Sequence, residues 1–513
     1  MNFFGVIWFL VVSVLALLLM VIVIHVVRDF ICYRNLDFYR KQGIKCYYQP
    51  VLGILSKFIR AKGDWDQLEN FRRHFEENKN EPLVMWNTNK ITGSTGFILD
   101  EALIRELMIK ESEHCGKVEY MKHVNFGFFF ENGQSIIEAR AIYSRFFHSE
   151  NMRKITLKTG EIVNRRVEQL RKAHQDQLEK GEWVKLDLKK FIFEVFGDIV
   201  NSALFGEEEP NLILEEDLPM AIQKYIAELF GINTNVASML SLDYLHELKI
   251  LPQTRACLAK YQIIEDKVWE IYNKRLQTGP KPQPNLLDLL IERNKELEKE
   301  GKPQLTKRDV AGHMVVLQFA GADSSSETIT NSIMIMSKNN EIQKDFLGVV
   351  DKVCQGLTES QVPTYEQYEH NEDLEEFNLE FLRLGAPFSI LSPREFIKPA
   401  KIGKYEFRVG DRLMIPCGLM HTMSRYFDNP SKCDRSRMSA QNKSKIKKSA
   451  YMPFGLGRRQ CLGKAVGEMS VKINLVNFFR YFTVKPDPEY QDNKVIKIAY
   501  GYVDPTVYVH LRP

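Results

Sequence analysis

Phe454-Gly-Leu-Gly-Arg-Arg-Gln-Cys461-Leu-Gly463 gathers an aromatic ring, three glycines and two adjacent arginines around one cysteine, and an amphipathic stretch follows from Lys464 to Phe482. Glycine lets a backbone turn sharply and approach a flat ligand where a Cβ would collide. A cysteine where such a loop meets a helix N-terminus gains partial positive charge from that end, which favours thiolate. Arginine offers a rigid fork of donors for carboxylates. A planar ligand with an acceptor metal and carboxylate arms fits this set, with Cys461 as axial ligand and Arg459 on one carboxylate. The plainer alternative is an inert buried thiol in a glycine-rich turn.

The spacing decides between them. Phe454, Gly457, Arg459, Cys461 and Gly463 stand as in the Phe-x-x-Gly-x-Arg-x-Cys-x-Gly signature of the cytochrome P450 family, which the chain resembles from about residue 40 onward. The resemblance implies a mainly helical prism with small β-sheets at one side, with haem buried between a kinked helix and the cysteine loop. The implied reaction is a monooxygenation. One atom of O₂ enters a lipophilic small molecule and the other is reduced to water, with electrons from NADPH through a separate flavoprotein reductase. A haem-thiolate isomerase or dehydratase acting on peroxides, and a non-catalytic haem-binding protein, are the other classes that this loop admits.

Bulk properties agree with one large cytoplasmic-type body. The 513 residues are 44% hydrophobic and 27% charged, enough for a sizeable core under a soluble surface. A net charge of +4 implies no nucleic-acid partner. The eight cysteines are scattered singly with no Cys-x-x-Cys pair, which favours neither a zinc site nor a disulfide framework.

Val6 to Val27 is almost wholly apolar, interrupted by Ser13 and His25. At about 1.5 Å per residue it is long enough for the roughly 30 Å hydrocarbon core. No basic residue precedes it and Arg28, Arg34, Arg40 and Lys41 follow, which predicts an uncleaved anchor with a cytoplasmic body. The expected division is a transmembrane anchor over 1–28, a linker over 29–50 and the haem-thiolate domain over 51–513. The resemblance places the anchor in the endoplasmic reticulum membrane. Anchored relatives carry a proline-rich hinge where this chain has only Pro50.

Helical spacing dominates from about 60 to 345, as in Leu68, Phe71, Phe75 and Leu103, Ile104, Leu107. Met152 to Lys180 and Leu188 to Phe205 read as helices, and Gly279 to Pro284 as a loop. Thr306 caps a long helix running to Lys338, with Asp309 complementing its dipole. Inside that helix, Ala320-Gly321-Ala-Asp323-Ser324 resembles the family's Ala-Gly-x-Asp/Glu-Thr kink over the haem. The resemblance makes Ala320 and Gly321 the cofactor-facing groove and Asp323 and Ser324 the proton relay, with serine in place of threonine. Alternatively one helix stops here and Ser324-x-x-Glu327 caps the next.

Glu380 and Arg383 lie one helical turn apart and resemble the family's Glu-x-x-Arg, a buried structural pair completed by a second arginine. By position that is Arg437, with Arg435 the alternative. Arg394 resembles the family's propionate-binding arginine. Arg140 keeps the arginine of the Trp-x-x-x-Arg element, with Ile136 in place of the indole and Arg145 about one turn further on. Tyr405–Val409 and Arg412–Pro416 flank Gly410-Asp411 and predict a β-hairpin. Lys445, Lys447 and Lys448, with Arg145 and Lys464, would form a basic face for an acidic electron donor. Specificity is expected from 105–135 and 205–250, where Phe126, Phe128, Phe129, Phe130, Leu229 and Phe230 suggest a lipophilic substrate.

Overall fold

In the computed structural model the described residues are 3–49, 73–87, 93–117, 132, 134–206, 212–213, 216–233, 251–492, 494–496 and 500–512, some of them by backbone alone. Phe126, Phe128, Phe129 and Phe130, and residues 234–250, lie outside them, as do Leu68 and Phe71. Of Phe230 only the backbone is described.

The main helices are α1 (Phe3–Asn35), α2 (Asp37–Arg40), α3 (Gln134–Phe146), α4 (Ser149–Ala173), α5 (Leu188–Phe205), α6 (Leu218–Asn233), α7 (Pro252–Thr278), α8 (Leu286–Lys299), α9 (Lys307–Ser337), α10 (Asn340–Val353), α11 (Glu372–Leu384) and α12 (Lys464–Phe479). The strands used below are β1 (Lys45–Tyr47), β2 (Leu83–Asn87), β3 (Ser94–Ile98), β4 (Cys115–Lys117), β5 (Val184–Asp187), β6 (Leu391–Phe396), β7 (Ala400–Ile402), β8 (Tyr405–Phe407), β9 (Arg412–Ile415), β10 (Phe482–Pro486), β11 (Lys494–Ile496), β12 (Tyr500–Tyr502) and β13 (Thr506–Leu511). The chain is thus mainly helical with small sheets. One sheet runs β1-β2-β3-β9-β6-β4, a second β10-β13-β5, and β7-β8 and β11-β12 form two-stranded ribbons.

Helix α9 is the axle. Thr306 accepts from the Asp309 N–H and Asp309 answers the Thr306 backbone, a complete capping box. Val310, Met314, Val315, Phe319, Ile329 and Ile333 are buried on several faces, as expected of a helix enclosed by others. It packs against α5, α6, α7, α10, α11 and α12 and against strands β10 and β12. It is continuous through Ser324, whose hydroxyl donates to the Ala320 carbonyl at 2.6 Å. No second helix starts at Ser324. The core divides into a large helical cluster around α9 and a smaller one under the β1–β4 sheet.

Three expectations change. The helix over Met152–Lys180 leaves helical backbone at His174 (φ −122°, ψ 24°), and a short helix resumes at Gln175–Glu179. The predicted hairpin around Gly410-Asp411 is not one. β8 turns back on β7 through Gly403, whereas β9 pairs with β3 and β6 in the large sheet. The buried Asp411 causes the divergence: its carboxylate accepts the Arg408 and Ser94 N–H groups and the Tyr39 hydroxyl, steering the chain from one sheet to the other.

The third concerns the anchor. Among the described residues, no helix is long and apolar enough to cross a membrane. What is described of α1 is one helix of 33 residues with Trp8, Val12, Leu15, Leu19, Ile22 and Val26 exposed. Its last turns are not a free linker. Cys32 and Leu36 are buried, and Arg408 reaches back to the Asn35 carbonyl and over the Phe38 ring.

Candidate functional site

The cysteine loop is a closed turn. The Cys461 N–H donates to the Phe454 carbonyl at 2.9 Å and the Gln460 N–H to the Gly457 carbonyl at 3.0 Å. Gly457 has φ +72°, and a Cβ there would lie 2.2 Å from the Met108 carbonyl oxygen. Only glycine permits that approach. Gly463 caps α12, which begins at Lys464.

Cys461 is accessible by surface area. It is nevertheless deep enough for burial to push its thiol pKa up, against the Gly463 N–H and the Arg140 and Lys117 charges that pull it down. Both observations hold together if the accessible area faces an internal recess. The helix-end effect expected from the sequence is present, but the loss of water outweighs it. Ala320 and Gly321 show the same signature, being exposed although Phe319 and Ala322 on either side are buried. Phe319 and Ala322 belong to the same packed cluster as Leu462 and Val466 beside the thiol.

Arg140 and Lys117 act on this thiol, and Arg394 and Arg459 crowd Lys117 in turn. Arg140 donates to the Gln460 carbonyl at 2.9 Å, within the cysteine loop itself. Arg459 donates to Asn132 at 2.8 Å, and Asn132 also accepts the Lys117 N–H at 2.9 Å. Strand register places Lys117 opposite Arg394 across β4 and β6. Burial lowers the Lys117 pKa well below its ordinary value, with Arg394, Arg459 and Arg140 adding repulsion. Arg394, 8% exposed, is driven down to about 10 by burial and by Arg459. Packing like charges together without water is unfavourable unless an anion shares the space. Among the described residues no group of His, Cys, Asp and Glu is placed to hold a metal ion. A metal at the single thiolate would have to bring its other ligands with it. A metal macrocycle with carboxylate arms meets both demands, so the residues fit haem.

Behind the loop, Glu380 and Arg383 are fully buried and joined by two hydrogen bonds of 2.8 Å. Arg383 also donates to the His421, Pro430 and Lys432 carbonyls, and Glu380 accepts the Asp434 N–H. Arg437 is the second arginine here, its Nε 3.7 Å from Glu380. Arg435 instead pairs with Asp345, Asp373 and Glu376.

On α9, Asp323 accepts from Gln223 of α6. Burial and the nearby Glu327 raise its pKa to about 6. Ser324 bonds back to its own helix and does not donate to Asp323. Of the expected basic face, Arg145 pairs with Glu296 at 2.7 Å, Lys447 with Glu101 and Lys464 with Glu468 at 3.8 Å. Lys117 and Asn132 escaped the sequence reading. Their partners are strand and loop neighbours remote in sequence, so no local pattern marks them.

The comparisons with known proteins agree with this geometry. The family model described as Cytochrome P450 matches residues 50–503. The chain is 24% identical to cytochrome P450 9e2 of Blattella germanica over 88% of its own length and 89% of that protein. It is 25% identical to cytochrome P450 3A15 of Cavia porcellus over 64% and 65%, and 24% identical to the probable cytochrome P450 6w1 of Drosophila melanogaster over 87% and 88%. A haem-dependent monooxygenase is the class these define, and the chain belongs to the cytochrome P450 family.

Proposed function

We propose that Cys461 holds haem iron as its axial ligand and that the enzyme oxygenates a lipophilic small molecule at a membrane surface. The observation that carries this reading is an accessible yet deeply set thiol near Arg140 and Lys117, with Arg394 and Arg459 crowded against that lysine. These cations would take the haem carboxylates, while Phe454, Gly457 and Gly463 shape the loop that delivers the thiolate. Ala320 and Gly321 would leave room over the opposite face. Bound haem supplies the redox chemistry of O₂ cleavage, pushed by thiolate electron density. The chain's own tasks are to hold that group, to exclude bulk water and to deliver protons through Asp323 and Ser324.

Electrons would come from NADPH through a separate flavoprotein reductase, the arrangement typical of the family. With Arg145, Lys447 and Lys464 engaged internally, a docking face for that donor would rest on Lys443, Lys445 and Lys448. Helix α1, about 50 Å long by the usual rise per residue, would span the endoplasmic reticulum membrane, with the domain over 51–513 on the cytoplasmic side. The docking of Cys32, Leu36 and Tyr39 into the body supports a fixed placement over a swinging one.

The test is the absorption spectrum of the dithionite-reduced protein with carbon monoxide, for wild type and Cys461→Ser. A strongly red-shifted carbonyl band that the variant loses is the expected result. A band typical of histidine ligation, or none, refutes the assignment.

A further inference from the structure

We infer that Glu327 is a second acid in the proton path, linking Lys189 at the protein surface to Asp323. The inference rests on the monooxygenase reading above. Positions 323 and 327 lie one turn apart on the same face of α9. Glu327 Oε1 accepts from Lys189 of α5 at 2.7 Å, with the lysine side chain 35% exposed and the glutamate 12%. A route to bulk water therefore exists on that side.

The other oxygen, Glu327 Oε2, is buried and has no hydrogen-bond partner among the described residues. Strand β12 presses on it, so that a Cβ on Gly501 would lie 1.9 Å from this atom. Any side chain at 501 would have to displace the carboxylate. An orphaned carboxylate oxygen in a confined polar spot calls for a water or a proton. Gln223 Oε1, beside Asp323, is buried and unpartnered in the same way. Among the described residues, the groups facing the pair are Lys189 from α5, the neutral Gln223 from α6, and Gly501 of β12, which brings no charge.

Two carboxyl groups one turn apart, one joined to Lys189 near the surface and the other held by Gln223, suit a relay. Burial and Glu327 bring Asp323 to about 6. A proton from water at Lys189 forms an O–H bond on Glu327. That bond breaks as the proton passes through a bridging water to the Asp323 carboxylate, which is protonated by it and then gives that proton up toward the haem site, returning to the carboxylate. No electrons move, and bulk water restores the proton to Glu327. Glu327 touches no reacting atom, so it is a positioning residue for Asp323.

Glu327→Gln keeps the shape and the Lys189 contact but cannot carry the proton. The holoprotein is measured with NADPH and a flavoprotein reductase, following oxygen consumption in H₂O and D₂O. In parallel, the infrared carboxyl band of Asp323, assigned with Asp323→Asn, is titrated. We expect a fall of about tenfold or more in rate and a larger solvent isotope effect. The Asp323 midpoint should drop toward the ordinary carboxylate range, and Glu327→Asp should restore part of the rate. Unchanged rate, isotope effect and midpoint overturn the inference. So does a slower variant whose isotope effect and midpoint match wild type, which marks a structural role only. If wild type itself lacks the thiolate carbonyl band, the monooxygenase reading fails and this inference falls with it; a normal band with an inert Glu327→Gln isolates the failure to Glu327.

Discussion

Replacing Glu380 by glutamine tests whether the ion pair behind the cysteine loop holds that loop up. Both partners are fully buried, and Arg383 spends its donors on Glu380 and on three backbone carbonyls. Glutamine keeps one oxygen, which can still meet Arg383 or the Asp434 N–H, but turns an N–H₂ against the guanidinium and removes the one charge, among the described residues, that compensates it at bonding distance. Removing one member of such a pair costs about 3–5 kcal/mol. The surviving acceptor puts the expectation near the lower end, about 3 kcal/mol, or roughly a hundredfold in the folding equilibrium. The damage should reach the haem site by a traceable route. Arg383 binds the His421 carbonyl, His421 Nε2 accepts the Met452 N–H at 3.0 Å, and the Met452 carbonyl accepts the Gly455 N–H at 2.9 Å. Burial and Arg383 hold His421 neutral by lowering its pKa to about 3, so it stays an acceptor throughout the usable pH range. The assay is urea unfolding of the holoprotein followed by circular dichroism and by haem absorbance. We expect an earlier midpoint with both probes and faster haem loss. The double variant Glu380→Leu with Arg383→Met should cost less than Glu380→Gln alone, because it leaves no orphaned charge. A cost below about 1 kcal/mol for Glu380→Gln, or a double variant worse than the single, refutes the reasoning.

Asp323→Asn should stabilise the fold at high pH and leave it unchanged at low pH. A carboxyl whose pKa rises on folding opposes folding wherever it is ionised. The penalty is complete above about 6, shrinks as the pH falls through that value, and vanishes below the ordinary carboxylate range. Urea midpoints should therefore show a gain of about 3 kcal/mol at pH 8 and less than about 1 kcal/mol near pH 4, and equal effects at both would refute the assignment. Gly457→Ala forces a left-handed residue and drives a methyl to 2.2 Å from the Met108 carbonyl. It should cost about 2 kcal/mol or more and lower haem content in purified protein, whereas normal haem loading would show that the loop relaxes freely.

What the sequence displayed follows from the range of the interactions involved. The long helix was legible to its ends because Thr306 and Asp309 cap it locally, and the Glu380–Arg383 turn because helical spacing joins its partners. The Asp411 crossover was not. Tyr405–Val409 and Arg412–Pro416 look like a hairpin by local pattern, and only Tyr39 and Ser94, more than three hundred residues upstream, redirect the chain. Lys117 was hidden for the same reason, since nothing within its own strand points to Arg394.

Glu327 shows how a local rule can mislead about function. Ser324-x-x-Glu327 has the form of a capping box, yet α9 runs straight through it, so neither side chain is needed at a helix end. Ser324 turns its hydroxyl back onto the helix, and Glu327 turns outward to Lys189 and Gly501. A glutamate kept off the helix terminus holds Lys189 with one oxygen, leaves the other buried without a partner among the described residues, and raises the pKa of Asp323. Groups that shift their neighbours' protonation gather at working sites. That is the physical ground for assigning this one to proton delivery.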